Sequence, residues 1–192
     1  DLPVLQLPTD RPRPGLRTGA GASTTREFGP DLLRDLREFG AEQRTTVFMS
    51  LLGAIGAVLG TFGGRSDVVV GTAVANRPPG AEREVGLFLD TVAVRVDLSG
   101  DPEFTTLLHR VRERTTAAYE HREVPFDELV GALNPERDPG RNPLFQVMVE
   151  FEQEGEVEFD PPDLSARLLD VPSDRAPFDL ALYLTQHSGG IR

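Results

Sequence analysis

The sequence predicts an α/β fold in which a mixed sheet is covered on one side by helices. Apolar residues recur every three to four positions in some segments and every second position in others. The predicted order is a strand, two helices, two strands, a pair of helices and three strands, which is typical of a layered α/β sandwich. A chain of 192 residues is long enough for one such domain with a core of its own.

The first part of the chain is predicted to be extended and then helical. Residues 1–16 are rich in proline, which disfavours helix in the residue before it. A strand is predicted at 22–28. Pro30 then opens an amphipathic helix that runs to about Glu42, because proline fits the first turn of a helix.

The uncharged segment 45–64 allows two interpretations. Gly56 and Gly60 form a GxxxG pair, which also occurs in membrane spans. We favour a fully buried helix, because a span would leave the domain without its largest core element. Small residues on one face would let a sheet or another helix approach closely. The opposite face has the helical spacing of large apolar residues: Phe48, Leu51, Leu52, Ile55, Val58, Leu59 and Phe62.

The rest of the chain alternates between strands and helices. Asp101 and Pro102 are predicted to be the N-cap and first residue of a helix that runs to Tyr119. Pro125 is predicted to be the first residue of a shorter helix that ends near Leu133. The predicted strands are 67–75, 87–98, 144–151, 166–171 and 178–186.

Composition excludes several classes of function. The formal net charge of −11 argues against non-specific binding to nucleic acid or to an anionic membrane surface. With no cysteine there is no disulfide, thiol nucleophile or cysteine-ligated zinc. The first residues do not have the basic and apolar regions of a signal peptide, so a cytoplasmic location is expected.

No catalytic residue and no metal site is predicted in this chain. The histidines, at positions 109, 121 and 187, have no nucleophile pattern and no metal-ligand spacing. The glycine-rich segment 60–67 precedes a strand and lacks the Gly-Lys-Ser/Thr of a phosphate loop. The acidic run 150–160 has period two and is interpreted as a solvated edge hairpin with a turn at Gly155, in preference to a cation site.

Asp90 is the residue that most clearly suggests a cavity. It shares the predicted face of its strand with Phe88, Val92, Val94 and Val96. A carboxylate on an apolar face is unfavourable unless it is paired or faces water. The segment ERDPGRNPLF is predicted to be a turn, in which Asp138 and Arg141 are close enough in sequence to form an ion pair.

Three segments together resemble the late motifs of nonribosomal peptide synthetase condensation domains. They are GLFLDTVAVRVDL (86–98), HREVPFDEL (121–129) and RDPGRNPLFQV (137–147), in the family's order. Asp90 stands where the family usually has Asn, Arg122 where it has Gln, and Gly140 where it has Ser. The other residues that carry the resemblance are Phe88, Thr91, Pro125, Phe126, Arg137, Asp138, Arg141, Asn142 and Pro143.

The resemblance implies a chloramphenicol acetyltransferase-like fold built of two lobes. Residues 1–21 would be the inter-lobe linker, and 22–192 the C-terminal lobe with its final strand and helix truncated. Peptidyl carrier proteins would deliver phosphopantetheine thioesters to a tunnel between the lobes, so no covalently bound cofactor is expected. The N-terminal lobe would supply the catalytic histidine. In this chain Asp90 would line the tunnel, and a mainly structural turn would stand beside it, formed by Arg137, Asp138, Arg141 and Asn142.

Two hypotheses about function follow from the resemblance. In the first, this lobe is one wall of an amide-forming enzyme and is inactive alone. In the second, it is a non-catalytic interaction module that binds a carrier protein or a tailoring enzyme.

Overall fold

The computed structural model describes residues 4–153, 171 and 173–192. Its helices and strands are, in chain order, α1 (Pro30–Gln43), α2 (Val47–Gly63), β1 (Asp67–Ala75), β2 (Leu89–Asp97), α3 (Phe104–Glu120), α4 (Phe126–Leu133), β3 (Val147–Gln153), β4 (Leu180–His187) and β5 (Gly190–Ile191).

The strands form one mixed sheet in the order β2-β1-β3-β4-β5. β2 is antiparallel to β1 along its whole length, and β5 is antiparallel to β4. β3 lies between β1 and β4 and is parallel to both. The predicted fold class, an α/β domain with a mixed sheet covered by helices, is therefore confirmed, whereas the expectation that helices cover only one side is wrong, because α4 packs on the other face.

The main core lies between the sheet and helices α2 and α3. Alternate residues of a strand point to opposite faces, so one set of valines from each of β1, β2 and β3 shares this face. Helix α2 contributes Leu52 and Leu59, and helix α3 contributes Leu107 and Val111. The strands contribute Val68, Val70, Val74, Val92, Val94, Val96, Val147 and Val149.

The second face of the sheet carries a smaller core under α4. Val69 and Met148, which alternate with the valines of the main core, pack there with Phe145. Phe126 and Leu129 of α4 cover them. Helices α2 and α3 thus cover one face of the sheet, and the short helix α4 covers part of the other.

Helix α2 packs through its small residues, as predicted. A Cβ on Gly56 would lie 2.6 Å from Cγ1 of Val96, and a Cβ on Gly60 would overlap Leu98. The prediction of full burial is wrong at the other face, where Val58 and Phe62 are exposed. Val58 and Phe62 lie on the side of the helix that is turned away from Gly56 and Gly60, and therefore away from the sheet.

The N-terminal ends of three predicted elements differ from the structure because the backbone turns there. Asp101 has a φ of 49°, so it is not a helix cap, and α3 begins at Phe104 with Glu103 as N-cap. Pro125 is the N-cap of α4 instead of its first residue. Leu144 has a φ of 64°, which is incompatible with a strand, and β3 begins three residues later.

One predicted strand and one predicted hairpin differ from the structure. Residues 22–28 form no strand, since only Phe28 makes a bridge, to Ile191. Residues 150–153 belong to the inner strand β3 and not to an edge hairpin. The rest of the acidic run and residues 166–170 lie outside the described residues.

Within the described part of the chain, no single helix is long and apolar enough to cross a membrane. Helices α1 and α2 meet that test only together, as a pair bent by 96°.

Candidate functional site

Asp90 lies near the beginning of β2 and is half-buried. It faces the same side as Val92 and Val94, which pack under α3. Its Oδ1 accepts a hydrogen bond from the backbone amide of Thr91 at 2.7 Å. No cation contacts this carboxylate among the residues that the structure describes. The geometry is that of a carboxylate open to solvent and not that of a core ion pair.

Phe88 lies in the loop that leads into β2 and is held by Arg77. The guanidinium carbon of Arg77 lies 3.9 Å from the centre of the Phe88 ring, a cation–π contact. The backbone amide of Asn76 donates to the carbonyl of Phe88 at 2.7 Å. This motif residue therefore fixes the two ends of the 76–88 loop to each other.

The second and third motifs meet in an aromatic cluster on the α4 side of the sheet. The ring centres of Phe126 and Phe145 are 5.3 Å apart, and those of Phe145 and Phe178 are 5.7 Å apart. Phe145 occupies the space above Gly71, where any Cβ would overlap its ring. Pro125 is exposed and serves as the N-cap that directs Phe126 into this cluster.

The motif turn (residues 137–142) is closed by Asp138. Its Oδ1 accepts from the amide of Gly140 at 2.7 Å, and its carbonyl accepts from the amide of Arg141 at 3.0 Å. The predicted ion pair is present, with Arg141 Nε 3.1 Å from Asp138 Oδ2, although without the alignment of a hydrogen bond. Arg137 is exposed and contacts no charged partner in the described ranges, and Pro143 is exposed as well.

An N-terminal strap (residues 5–21), the predicted linker, lies along this turn. Arg13 Nη1 donates to the carbonyl of Gly140 and to Oδ1 of Asp179, both at 3.0 Å. Arg13 and Asp179 form an ion pair in which the side chains are 27% and 16% exposed. The hydrogen bond with Asp179 raises the pKa of Arg13, so the guanidinium remains charged.

Arg17 makes a second connection between the strap and the turn. It donates to Oδ1 of Asn142, and to the carbonyls of Pro177 at 2.7 Å and Ala176 at 3.0 Å. The backbone amide of Ala176 donates in turn to the carbonyl of Gly19 at 2.9 Å. The strap thus joins the motif turn to the residues that precede β4.

Gly140 fits this close approach. A Cβ at this position would lie 3.1 Å from the carbonyl oxygen of Pro14 and from Oδ1 of Asp138. The position where the family usually has Ser is therefore crowded by the strap. Arg122, another departure from the family pattern, is exposed and donates to the carbonyl of Tyr119 at 3.2 Å.

The structure brings some of the predicted residues together and separates others. The motif turn and α4 meet through Phe145 on one face of the sheet, whereas Asp90 faces the other side. Sequence reasoning missed Arg13, Arg17, Asp179 and Gln146, which hold the turn. The available signal was the set of three arginines, Arg11, Arg13 and Arg17, in and just after a proline-rich segment.

The histidines show no arrangement for catalysis. His109 and His121 are exposed, and His187 Nε2 lies 3.1 Å from Glu27 Oε2. Within the ranges 4–153, 171 and 173–192, no three His, Asp or Glu residues are placed to hold a metal ion. Glu150, on the second face of the sheet, has a pKa raised by burial and by the neighbouring Glu152.

Comparison with known proteins gives the family. The condensation domain family model matches residues 1–192. A probable non-canonical nonribosomal peptide synthetase, CymA from Salinispora arenicola (strain CNS-205), is 44% identical over 165 residues, which are 85% of this chain and 2% of that protein.

Two solved structures share the fold. The X-domain from teicoplanin biosynthesis has a TM-score of 0.88 and 27% identity, and the match covers all of this chain and 44% of that one. The complex of the X-domain and OxyB from teicoplanin biosynthesis gives a TM-score of 0.86 and 26% identity, covering all of this chain and 43% of that one. This chain therefore spans less than half the length of either X-domain chain.

These findings define the class of protein: an α/β domain with a chloramphenicol acetyltransferase-like fold. The chain belongs to the condensation domain family of nonribosomal peptide synthetases, and its residues correspond to the C-terminal lobe.

Proposed function

We propose that this chain is one wall of a condensation domain that joins two carrier-bound aminoacyl or peptidyl thioesters through an amide bond. The observation that carries the proposal is the family match over residues 1–192. The 44% identity to a nonribosomal peptide synthetase supports the same class of reaction.

In the proposed reaction the amine of the acceptor attacks the thioester carbonyl of the donor. A carbon–nitrogen bond forms, the carbon–sulfur bond breaks, and the thiol of the donor phosphopantetheine arm leaves. The base that assists the amine must lie within about 3 Å of it. The three histidines of this chain are scattered, so the proposal assigns that base to a preceding lobe.

The residues of this lobe would shape the site. Asp90 supports this role, because it is a half-buried carboxylate with no cation beside it in the described part of the chain. The motif turn would hold the wall in place through its hydrogen bonds to the strap. Both carrier proteins would bring their phosphopantetheine arms, so this lobe would need no bound cofactor.

The test is amide formation with purified components. The 192-residue chain, alone or joined to a preceding condensation-domain lobe, is given donor and acceptor carrier proteins loaded with amino acids. Amide product is expected only when both lobes are present. The control is the two-lobe protein in which the histidine of the preceding lobe is changed to alanine. Product above the spontaneous rate from the chain alone would overturn the proposal.

A second candidate function is recruitment of another protein without catalysis. It is favoured by the likeness to the teicoplanin X-domain, which has been solved in complex with OxyB. A two-lobe protein of this kind would bind a tailoring enzyme and form no amide. Tight binding of such an enzyme together with no product from loaded carriers would decide for this candidate.

A further inference from the structure

Strands β1 and β2 are joined by a long loop, residues 76–88, and Asp90 lies close to the mouth of that loop. Val74 faces Asp90 in the register of the two strands. Two residues further out, the amide of Asn76 donates to the carbonyl of Phe88 at 2.7 Å. Asp90 is therefore one hydrogen-bonded pair away from the end of the β1–β2 ladder.

The same register decides which way the carboxylate of Asp90 turns. In an antiparallel pair every second residue bonds to the partner strand, so the even-numbered residues of β2 bond to β1. The amide of Thr91 points instead to the outer edge of β2, which is the last strand on its side of the described sheet. It donates to Oδ1 of Asp90 at 2.7 Å, its one acceptor among the described residues. The Thr91 amide therefore reports whether the carboxylate of Asp90 is in place.

Arg77 lies inside the loop and contacts it at three points. Its Nη1 donates to the carbonyls of Ala81 at 2.6 Å and Glu84 at 2.8 Å. Its guanidinium carbon lies 3.9 Å from the centre of the Phe88 ring, and a cation over the face of an aromatic ring is attracted to it. One side chain thus ties the body of the loop to the residue that closes its mouth.

Phe88 transmits this contact to Asp90. Side chains alternate along a strand, so Phe88 and Asp90 lie on the same side of the chain. A Cβ on Gly86 would lie 3.3 Å from Cε2 of Phe88, so the ring is also held against the loop itself. Hydrogen-bonded elements open first at their ends. If Arg77 releases the ring and the loop, the pair formed by Asn76 and Phe88 opens, and the next pair contains Asp90.

We propose that Arg77 is a positioning residue that holds Phe88 at the end of the ladder and thereby fixes the carboxylate of Asp90. The inference rests on the proposed function, in which Asp90 shapes the site for amide formation. Arg77 acts through Phe88, because its guanidinium is engaged with the loop.

Hydrogen exchange of the Thr91 amide tests this relationship in the 192-residue chain. The exchange rate is followed by NMR in the parent, in Arg77→Ala and in Asp90→Ala, which removes the acceptor. The internal reference is the amide of Leu98, which donates to the carbonyl of Ser66 at 2.7 Å at the far end of the same ladder.

We expect the Thr91 amide to exchange at least about tenfold faster in Arg77→Ala than in the parent, because the end of the ladder opens locally. The rate should approach that of Asp90→Ala. The Leu98 amide should exchange at the parent rate in both variants. Arg83→Ala, at an exposed position of the same loop, is the matched control and should leave both amides unchanged.

Three results would overturn the inference. An unchanged Thr91 rate in Arg77→Ala would mean that the carboxylate of Asp90 is held without the arginine. Equal acceleration of Thr91 and Leu98 would mean that Arg77 only stabilises the domain as a whole. Equal Thr91 rates in the parent and in Asp90→Ala would mean that the carboxylate is not held at all.

Turnover in the two-lobe protein tests the consequence for the reaction. Arg77→Ala should lower the turnover of amide formation by about tenfold, because a misplaced group loses its orientation towards the reacting atoms. Arg77→Lys keeps a cation over the ring of Phe88 and should recover part of that loss. In a protein that already carries Asp90→Ala, Arg77→Ala should lower turnover no further, because both changes remove the same carboxylate from its place.

Failure of this inference and failure of the proposed function give different results. Amide formed by Arg77→Ala at the parent rate, or losses that multiply in the double variant, would overturn the positioning role and leave the proposed function intact. No amide from the two-lobe parent would instead refute the proposed function, while the exchange rate of Thr91 would still decide whether Arg77 holds Asp90.

Discussion

The backbone amide of Leu5 donates a hydrogen bond to the side-chain Oε1 of Gln146, 3.0 Å away and 141 positions later in the chain. Gln146 is 4% exposed, and its Nε2 donates to the carbonyl of Asn142 at 3.2 Å. Its own carbonyl accepts from the amide of Asp179 at 3.0 Å. One buried residue thus connects the strap, the motif turn and the beginning of β4.

Gln146→Ala should therefore destabilise the whole lobe. The change leaves the amide of Leu5, which is 3% exposed, without an acceptor in the core. The free energy of unfolding should fall by about 1–3 kcal/mol, the usual cost of an unsatisfied buried group. Urea unfolding measures it, and Gln153→Ala at the exposed end of β3 is the control that should change little. Equal midpoints for both variants would contradict the assignment.

Arg17 and Asn142 should be energetically coupled. Arg17→Ala and Asn142→Ala each remove their mutual hydrogen bond, which is partly buried, at a cost of about 1 kcal/mol. The double variant should lose less than the sum of the two, because the shared interaction is removed only once. Arg137→Ala, at an exposed position of the same turn, is expected to stay within about 0.5 kcal/mol of the parent. Additive losses in urea unfolding would mean that the pair is not coupled.

The fold class was predictable because the spacing of apolar residues along the sequence distinguishes helices from strands. Residues such as Val92, Val94 and Val96 show their buried face in the sequence itself. The strap was not predictable as part of the lobe, because its contacts join positions such as Arg17 and Asn142, far apart in the chain. Local patterns hold no information on such long-range hydrogen bonds.

The predicted starts of α3 and β3 were wrong for a different reason. Asp101 and Leu144 both adopt positive φ, a conformation that is uncommon for residues other than glycine and that the periodicity of apolar residues does not indicate. That Asp90 and the motif turn lie on opposite faces of the sheet follows from the register of the strands, which the motifs alone do not give.

Asp90 is expected to matter more for turnover than for folding. The only hydrogen bond of its side chain in the described part of the chain comes from the amide of Thr91, and the side-chain oxygen of Asn can accept the same bond. Asp90→Asn in the two-lobe protein should change the turnover of amide formation and leave the melting temperature nearly unaltered. Asp90→Leu should harm activity more than stability. A large fall in melting temperature for the Asn variant, with normal turnover, would mark Asp90 as a purely structural residue.

Thr115→Val should stabilise the lobe. Thr115 is fully buried in α3, and its Oγ1 has no hydrogen-bond partner among the described atoms. Valine has the same shape and a similar helix propensity, so the change removes an unsatisfied hydroxyl without opening a cavity. A gain of about 1 kcal/mol in the free energy of unfolding is expected. Thr116→Val, one position further along and exposed, is the control. A loss of stability at position 115 would reveal a polar partner for the hydroxyl.

The stability of the lobe should depend on pH through Glu150. Burial and the charge of Glu152 raise its pKa above the ordinary value of 4.5, so the folded state holds this proton more tightly than the unfolded state. Below the unfolded pKa both states are protonated and there is no penalty. As the pH rises through the unfolded and then the folded pKa, stability is lost, and the loss is complete above the folded value.

Glu150→Gln removes that titration and should raise the melting temperature at pH 7. The gain should shrink as the pH falls and vanish below about pH 4, where the parent carboxyl is protonated in both states. Glu136→Gln, at an exposed position before the motif turn, should show no such pH-dependent gain. The measurement is thermal unfolding of the parent and both variants from pH 3 to pH 8. A gain for Glu150→Gln that is the same at every pH would show that the carboxylate charge is not its cause.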